Sequence, residues 1–595
     1  MRRPGGSPAM RPGGPLVLAL ALALLAAGCV LPAATNVQPA AALPAGGFTR
    51  TAVYPGEYDT SGKLSRVLVA GPFGILDPQM EVLASEADGA AIPVGYALPD
   101  VPEGTRVPVI VLASPYFFEG VAPAGFAKDG NYARLVENFV PHGYAVAFLP
   151  VRGTADHGGC MDLMGPLERA DLNQAITWLG EQPWSNGRVG MVGVSYDGST
   201  PWEVAGAGNP YLKTIVPISG VNDLYTLMYG SGVSEFRGAA VLNALYYEYG
   251  FLEYNAVTGT RSPQHMLEGA LCPESLKGIA ISLHSAASGE RDPLGFWAAR
   301  NSRPLVEENY RGSIFLVHGL QDWNVDPRAD FPWVPTLEEK GITVKYLLSQ
   351  TGHAWPDSRR NDVEKAAARW DWAEMLLRWF DRELKGDATA DPGPKAQVQD
   401  SSGQWRMEDA WPPRDAVPTL LHLASGKLAG EPGASGSVLV GGADPGFGPV
   451  ECPLCARFAG ETLEQELRFS GIPRLRVNVT PTAPAGQLAA WLYAEEGGKL
   501  QRVGWGAVDL RFPQGGEKAS PVVPGQRVAV DLAFEALDVV VPAGGSLVLV
   551  LHTDGYADHL GNPAPLRVQV GEGATLELPV IERDGSTFFQ PPGTA

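Results

Sequence analysis

The sequence predicts an α/β protein of two domains. A doubly wound, mostly parallel sheet spans residues 48–394, with an inserted helical cap at about 222–300, and a β-sandwich spans residues 395–595. Three observations carry this. Apolar runs of strand length alternate with helical periodicities up to about residue 386. A serine sits in a glycine-flanked turn at the end of one such run. Beyond residue 395 the helical period disappears, and short β-like runs recur between Gly and Pro. At 595 residues the chain also exceeds what a single core holds, roughly 250–300 residues.

The N-terminus reads as a targeting segment. Arg2, Arg3 and Arg11 precede 13 small or apolar residues, 16–28, too few to cross a bilayer and suited to the apolar region of an export signal. The run ends in Leu25-Ala26-Ala27-Gly28-Cys29 and resembles a bacterial lipoprotein signal, residues 1–29, with Cys29 as the lipidated first residue. Ala26 stands where Leu is commoner, and an ordinary cleaved signal is the alternative. Residues 30–47, rich in Ala and Pro, read as a flexible tether. The expectation is an exported protein on a lipid anchor in a membrane, or else a periplasmic or secreted one.

In the body, residues 66–69 and 80–83 read as early antiparallel strands. The continuous apolar runs 107–113 and 144–149 read as buried strands. Residues 167–179 carry Leu172, Ala175, Ile176 and Leu179 on one helical face. Strand-like runs follow at 189–192, 214–218 and 313–317. The aromatics between 222 and 300 suit a cap with its own small core, and a helix ends near 377–381. The later runs at 475–479, 488–494, 528–534, 537–541, 546–552 and 566–570 make the sandwich.

Charge and cysteine content narrow the partners. Against 65 Asp and Glu stand 45 Lys and Arg, a net charge of −20, with no basic cluster in the body, which argues against a nucleic-acid partner. Besides Cys29 there are Cys160, Cys272, Cys452 and Cys455, an even number that permits two disulfides in an oxidising compartment. Cys452 and Cys455 fit a small structural disulfide or two free thiols better than a redox pair or half a zinc site, since no second CxxC or histidine pair follows. Nothing in the sequence sets an oligomeric state.

The chemistry centres on Gly193-Val194-Ser195-Tyr196-Asp197-Gly198. After an apolar run and before small residues, this is the pattern of a strand, a sharp serine-bearing turn and a helix. A serine hydroxyl is a weak nucleophile and needs a base within hydrogen-bond reach. Histidine suits that role near neutral pH, and a buried carboxylate fixes its tautomer. Asp322 and His353 supply both, in the order Ser, Asp, His of an α/β-hydrolase. Asp326 competes with Asp322, which is preferred because it directly follows a strand and a glycine-containing turn. The backbone N–H of Tyr196 is the expected first oxyanion donor. The sequence holds no metal-site pattern, phosphate loop or cofactor motif, so no cofactor is expected.

Further stretches resemble one family, the serine peptidases of the Xaa-Pro dipeptidyl-peptidase and cocaine-esterase type. They are Ser114-Pro115-Tyr116, Val151-Arg152-Gly153-Thr154, Gln182-Pro183-Trp184-Ser185-Asn186-Gly187-Arg188-Val189-Gly190-Met191, the serine turn, His318-Gly319-Leu320-Gln321-Asp322-Trp323-Asn324-Val325, Gly352-His353 and Trp379-Phe380-Asp381-Arg382-Glu383-Leu384-Lys385-Gly386. The resemblance implies a catalytic α/β-hydrolase domain with a C-terminal jelly-roll. It also implies a second oxyanion donor from a tyrosine hydroxyl, here Tyr116. The substrates implied are peptides or small esters and amides, with an exported Xaa-Pro dipeptidyl-peptidase first. A carboxylesterase, amidase or α-amino acid ester acylase is the alternative, and a non-catalytic surface-binding lipoprotein comes last. A dipeptidyl-peptidase must also grip a free ammonium, for which Asp223, Glu235, Glu248 and Glu253 are available. Trp323 and Asn324 border the proline slot by resemblance, with plain packing the equal alternative for Trp323.

Overall fold

The structure, a computed structural model, describes residues 65–117, 121, 130–155, 157–234, 273, 277–278, 280–281, 284–285, 292, 294–358, 368–433, 437–441, 452, 454–515, 518–553, 566–583 and 586–590. The signal with Cys29, the tether, and most of the expected cap, with Glu235, Glu248 and Glu253, lie outside the described residues. Pro44–Ala595 form one compact unit.

The central sheet is built from β1 (Gln79–Ala84), β2 (Ala91–Ala97), β3 (Val107–Ser114), β4 (Ala145–Pro150), β5 (Ser185–Val194), β6 (Leu212–Ile218), β7 (Ser313–Gly319), β8 (Val344–Ser349), β9 (Ala396–Gln399), β10 (Trp405–Glu408) and β11 (Thr587–Phe589). Their order is β1-β2-β4-β3-β5-β6-β7-β8-β9-β10-β11. Neighbours from β4 to β9 are parallel, and the outer pairs are antiparallel. Every residue of β3, β4, β7 and β8 is buried, as continuous apolar runs require when helices cover both faces.

The period of two splits each strand between two cores. Val109, Val111 and Ala113 of β3 pack under α2 (Pro166–Glu181), α3 (Tyr196–Ala207), α5 (Arg303–Asn309) and α6 (Trp333–Glu339). Ile110 and Leu112 face the other way, towards α1 (Gly130–Phe139) and α7 (Trp372–Phe380). On α2 the stripe Leu172, Ala175, Ile176 and Leu179 is the buried face. The short α4 (Leu224–Met228) lies at the start of the cap region.

Two expectations are corrected. Residues 66–69 form no strand: the Val67 N–H donates to Asn138 Oδ1 and the Leu68 N–H to Glu374 Oε2, so side chains take the groups a ladder would use. The expected boundary at 394/395 follows composition but not hydrogen bonding. β9, β10 and β11 extend the central sheet, so the first layer runs through Glu408 and regains Thr587–Phe589 from the far end of the chain. Trp405 of β10 and Phe589 of β11 join the core beneath α7, and Ala396 and Val398 of β9 join the core on the opposite face.

Between them lies the sandwich, from Val417–Ala424 to Thr575–Val580, mostly antiparallel. Alternate residues point inward, as in Leu475, Val477 and Val479 of Arg474–Pro481. Cys452 and Cys455 are joined in a disulfide, and Cys160 is disulfide-bonded as well.

Candidate active site

The strand order determines where the site lies. β5, β6, β7 and β8 are consecutive parallel neighbours. Ser195 directly follows β5, Asp322 lies in the turn after β7, and His353 lies in the loop after β8. All three therefore emerge at the carboxyl edge of the sheet, where open α/β sheets bind ligands.

Ser195 is the N-cap of α3, with φ 66° and ψ −126°, a conformation an L-residue holds only under tertiary constraint. Its N–H donates to the Ile218 carbonyl at 2.9 Å, tying the turn to the end of β6. Two glycines let the chain pass. A Cβ on Gly193 would lie 2.3 Å from the Asp197 carbonyl oxygen, and one on Gly198 would lie 2.6 Å from that of Ile218. Ser195 itself is only half-buried.

Asp322 is buried, and both its oxygens are used. Oδ1 accepts from the N–H groups of Asn324 at 2.9 Å and Val325 at 3.0 Å. Oδ2 lies 2.7 Å from His353 Nδ1. Burial alone would raise the Asp322 carboxyl. The charge and hydrogen bond of His353 outweigh it, with help from His318 and the Val325 N–H, and hold it below the usual range. An ionised Asp322 only accepts, so Nδ1 carries a hydrogen, and in the neutral ring Nε2 is the nitrogen with the lone pair. That Nε2 is buried and has no hydrogen-bond partner among the described residues. Asp326 instead pairs with Arg328, at 3.6 Å, and directly precedes a short 3-10 turn.

Tyr196 is the first residue of α3, so its N–H is one that the helix itself does not engage. Its hydroxyl donates to Glu168 Oε2 at 2.8 Å and accepts from the Met164 N–H at 3.1 Å. Burial pushes the Glu168 carboxyl up to about 8 against the opposing hydrogen bond from Tyr196, so it is protonated near neutral pH. Tyr116 lies just past β3 at the same edge, and its ring meets that of Tyr196 edge-on, centroids 6.5 Å apart.

The remaining candidates fare differently. Asp223 caps α4 through the Tyr225 N–H, accepts from Thr226 Oγ1 at 2.6 Å and lies 3.5 Å from Arg303. Its charge is already engaged, so it fits poorly as the grip for a substrate ammonium. Trp323 packs on an aromatic patch of the sandwich with Trp491, Tyr493 and Trp505, so packing between the halves accounts for it. Asn324 contributes its backbone N–H to Asp322.

Sequence reasoning gave no role to Glu168, His318 or Asp330. His318, one residue before the end of β7, had a signal: an ionisable ring closing an apolar strand four residues before Asp322. Its partner Asp330 is recognisable only in three dimensions. The sandwich reaches the site too. Gln350, three residues before His353, donates through Nε2 to the carbonyls of Gln399 at 3.0 Å and Asp538 at 3.3 Å.

Known proteins resemble this chain over much of its length. The family model described as X-Pro dipeptidyl-peptidase (S15 family) matches residues 88–355, and that of the X-Pro dipeptidyl-peptidase C-terminal non-catalytic domain matches 387–567. A Streptomyces avermitilis protein provisionally named Xaa-Pro dipeptidyl-peptidase is 28% identical over 532 residues, covering 76% of this chain and 74% of its own. The cocaine esterase of Rhodococcus sp. is 28% identical over 379 residues, covering 58% of this chain and 62% of its own. The crystal structure of an aminopeptidase from a Thaumarchaeota archaeon superposes with TM-score 0.67 at 17% identity, over 85% of this chain and 97% of that one, which shows a shared fold. The homologues named as peptidase and esterase, with the matched family, make this chain a serine hydrolase.

Proposed function

The chain belongs to the S15 family of X-Pro dipeptidyl-peptidases, and from that membership we propose that it releases N-terminal Xaa-Pro dipeptides through an acyl-enzyme on Ser195. The observation that carries the reading is the 2.7 Å contact of Asp322 with His353, at the edge where the strained Ser195 turn emerges.

In this reading His353 Nε2 takes the Ser195 hydroxyl proton as the oxygen attacks the prolyl carbonyl, and Asp322 stabilises the imidazolium. The N–H of Tyr196 and the hydroxyl of Tyr116 hold the oxyanion. Collapse breaks the C–N bond, His353 protonates the leaving amine, and water repeats the sequence to free the dipeptide. A carboxylate in the cap region would bind the substrate ammonium. With Asp223 engaged, Glu235, Glu248 and Glu253 are the candidates.

The test compares Ala-Pro-p-nitroanilide, its N-acetyl form and p-nitrophenyl butyrate. The free-amine anilide should be preferred by roughly 10²-fold or more over the acetylated one, because a buried carboxylate would be left unpaired. Equal rates on both anilides, or a strong preference for the ester, would instead support an ester hydrolase. What speaks for that second reading is the 28% identity to the cocaine esterase over 379 residues. Ser195→Ala should lose roughly 10⁴–10⁶ of turnover with the fold intact.

The sequence of residues 16–29 supports export and a lipid anchor on Cys29. Mass spectrometry of membrane-extracted protein should then find a diacylglyceryl-modified peptide beginning at Cys29. An unmodified mature chain in the soluble fraction would refute the anchor.

A further inference from the structure

His318 is buried behind the catalytic carboxylate, with both ring nitrogens engaged. Nε2 lies 2.8 Å from the Val325 carbonyl oxygen, which only accepts, so Nε2 carries a hydrogen. Nδ1 lies 2.6 Å from Asp330 Oδ2, so a proton sits there as well. Asp330 Oδ1 accepts from Asn222 Nδ2 at 2.9 Å, and the Arg303 guanidinium on α5 faces the same carboxylate. Both favour an ionised Asp330 and leave the shared proton on the ring.

Burial alone would strip that proton. The hydrogen bond and charge of Asp330, with the charge of Asp322, outweigh it and hold His318 above the ordinary histidine range. Burial also pushes the Asp330 carboxyl up, against His318, Arg303 and Asn222, so the pair competes for one proton; the Asn222 and Arg303 groups around Asp330 are the geometric ground for placing it on the ring. Tyr346 on β8, which the charge of Asp330 also reaches, is neutral, because burial pushes its hydroxyl up.

The protonated Nε2 edge also faces the active site. It lies 3.9 Å from Asp322 Oδ2, the oxygen that His353 Nδ1 meets at 2.7 Å. One carboxylate oxygen therefore lies between two imidazoles, the first fixed in the core and the second free to exchange protons with substrate. In a buried site, charges this close interact by several times the thermal energy.

We propose that His318 is a positioning residue for the hydrolysis: an imidazolium locked between Asp330 and the Val325 carbonyl, it keeps Asp322 ionised and limits how tightly Asp322 holds a proton on His353. Without that positive charge, the base would remain protonated, and idle, to higher pH. The proposal rests on the assignment of His353 as the base.

Two variants test it. His318→Gln keeps a donor for Val325 and removes the charge. Asp330→Asn keeps the size of the carboxylate and leaves His318 neutral. The readouts are the titration of His353, by NMR of the full chain carrying ¹⁵N-histidine, and the kcat/KM–pH profile on the substrate selected above, with thermal unfolding as the check on folding. In both variants the His353 midpoint should rise by about one pH unit, with the acid limb following and kcat/KM below it falling about tenfold. An unmoved or lowered midpoint overturns the proposal. A midpoint that rises while the acid limb stays put upholds the action of His318 and sinks His353 as the base. The wild-type spectrum adds a test that needs no variant to fold: one histidine should keep both ring protons to higher pH than an ordinary histidine does, and the absence of such a ring overturns the imidazolium.

Discussion

Asp322 and Asp326 are four residues apart and chemically alike, yet their surroundings separate them. Asp322 meets His353 and two backbone N–H groups, whereas Asp326 faces Arg328. Asp322→Asn is expected to lower kcat by about 10⁴-fold, the loss seen when a triad carboxylate is amidated elsewhere, and Asp326→Asn to leave most of it. Steady-state kinetics on the two variants decides, and the reverse pattern would move the acid to Asp326. Glu168 gives a second prediction. Its folded value of about 8 lies above the ordinary 4.5, so the folded state holds a proton that the unfolded chain has released. That contribution is fully present below pH 4.5 and is lost as pH rises towards 8, by on the order of a few kcal/mol. Thermal unfolding across this window should show the melting temperature falling with pH, and Glu168→Gln should flatten the fall. Equal slopes in both proteins would refute the buried acid.

At the scale of elements, the serine turn depends on three segments meeting without side chains between them. A methyl on Gly198 would press on the Ile218 carbonyl at the end of β6 and on that of Gly193, at 2.6 and 2.9 Å, and backbone cannot yield as a side chain does. Gly198→Ala should cost about 1–3 kcal/mol and displace Ser195. Activity should fall further than the unfolding midpoint implies, as labelling by a fluorophosphonate probe would show. This element was legible in the sequence because strand, turn and helix signals are all local. β9, β10 and β11 were not, because they are only four, four and three residues long and are set by pairing with distant partners. Residues 66–69 misled for the converse reason: Arg66 and the apolar Val67, Leu68 and Val69 were read as a strand, but the N–H groups of Val67 and Leu68 are taken by Asn138 and Glu374.

For the whole molecule, the two halves share charged and aromatic contacts next to the site. Arg406 of β10 donates to both oxygens of Asp538 in the sandwich, at 3.0 and 2.7 Å, with both side chains buried. Arg328, beyond the Asp322 turn, pairs with the buried Glu535. Arg406→Ala would leave Asp538 buried and unpaired, at a cost of about 3–5 kcal/mol. Because the Asp538 carbonyl also receives Gln350 near His353, turnover should fall with stability in denaturant titration and rate assays. Truncation after residue 408 removes β11 and both interdomain acids and bares the edge of β10, so it should yield no soluble, active domain. A folded, hydrolytic fragment would show that the sandwich is dispensable.

By itself, the sequence determined the features written in neighbouring residues or fixed by chain order. These are the alternation of buried strands and helices, the serine turn, the sequence of Ser195, Asp322 and His353 along the chain, and the change to β structure near residue 395. They were legible because hydrophobic period and turn chemistry act over a few residues. Only the tertiary structure decided which carboxylate meets His353, that Asp223 is already engaged, that Trp323 packs on the sandwich, that Glu168 is a buried acid under Tyr196, and that His318 is held by Asp330 behind Asp322. Each depends on contacts between separate segments and on burial, which raises or lowers the cost of a charge by an amount no linear pattern records.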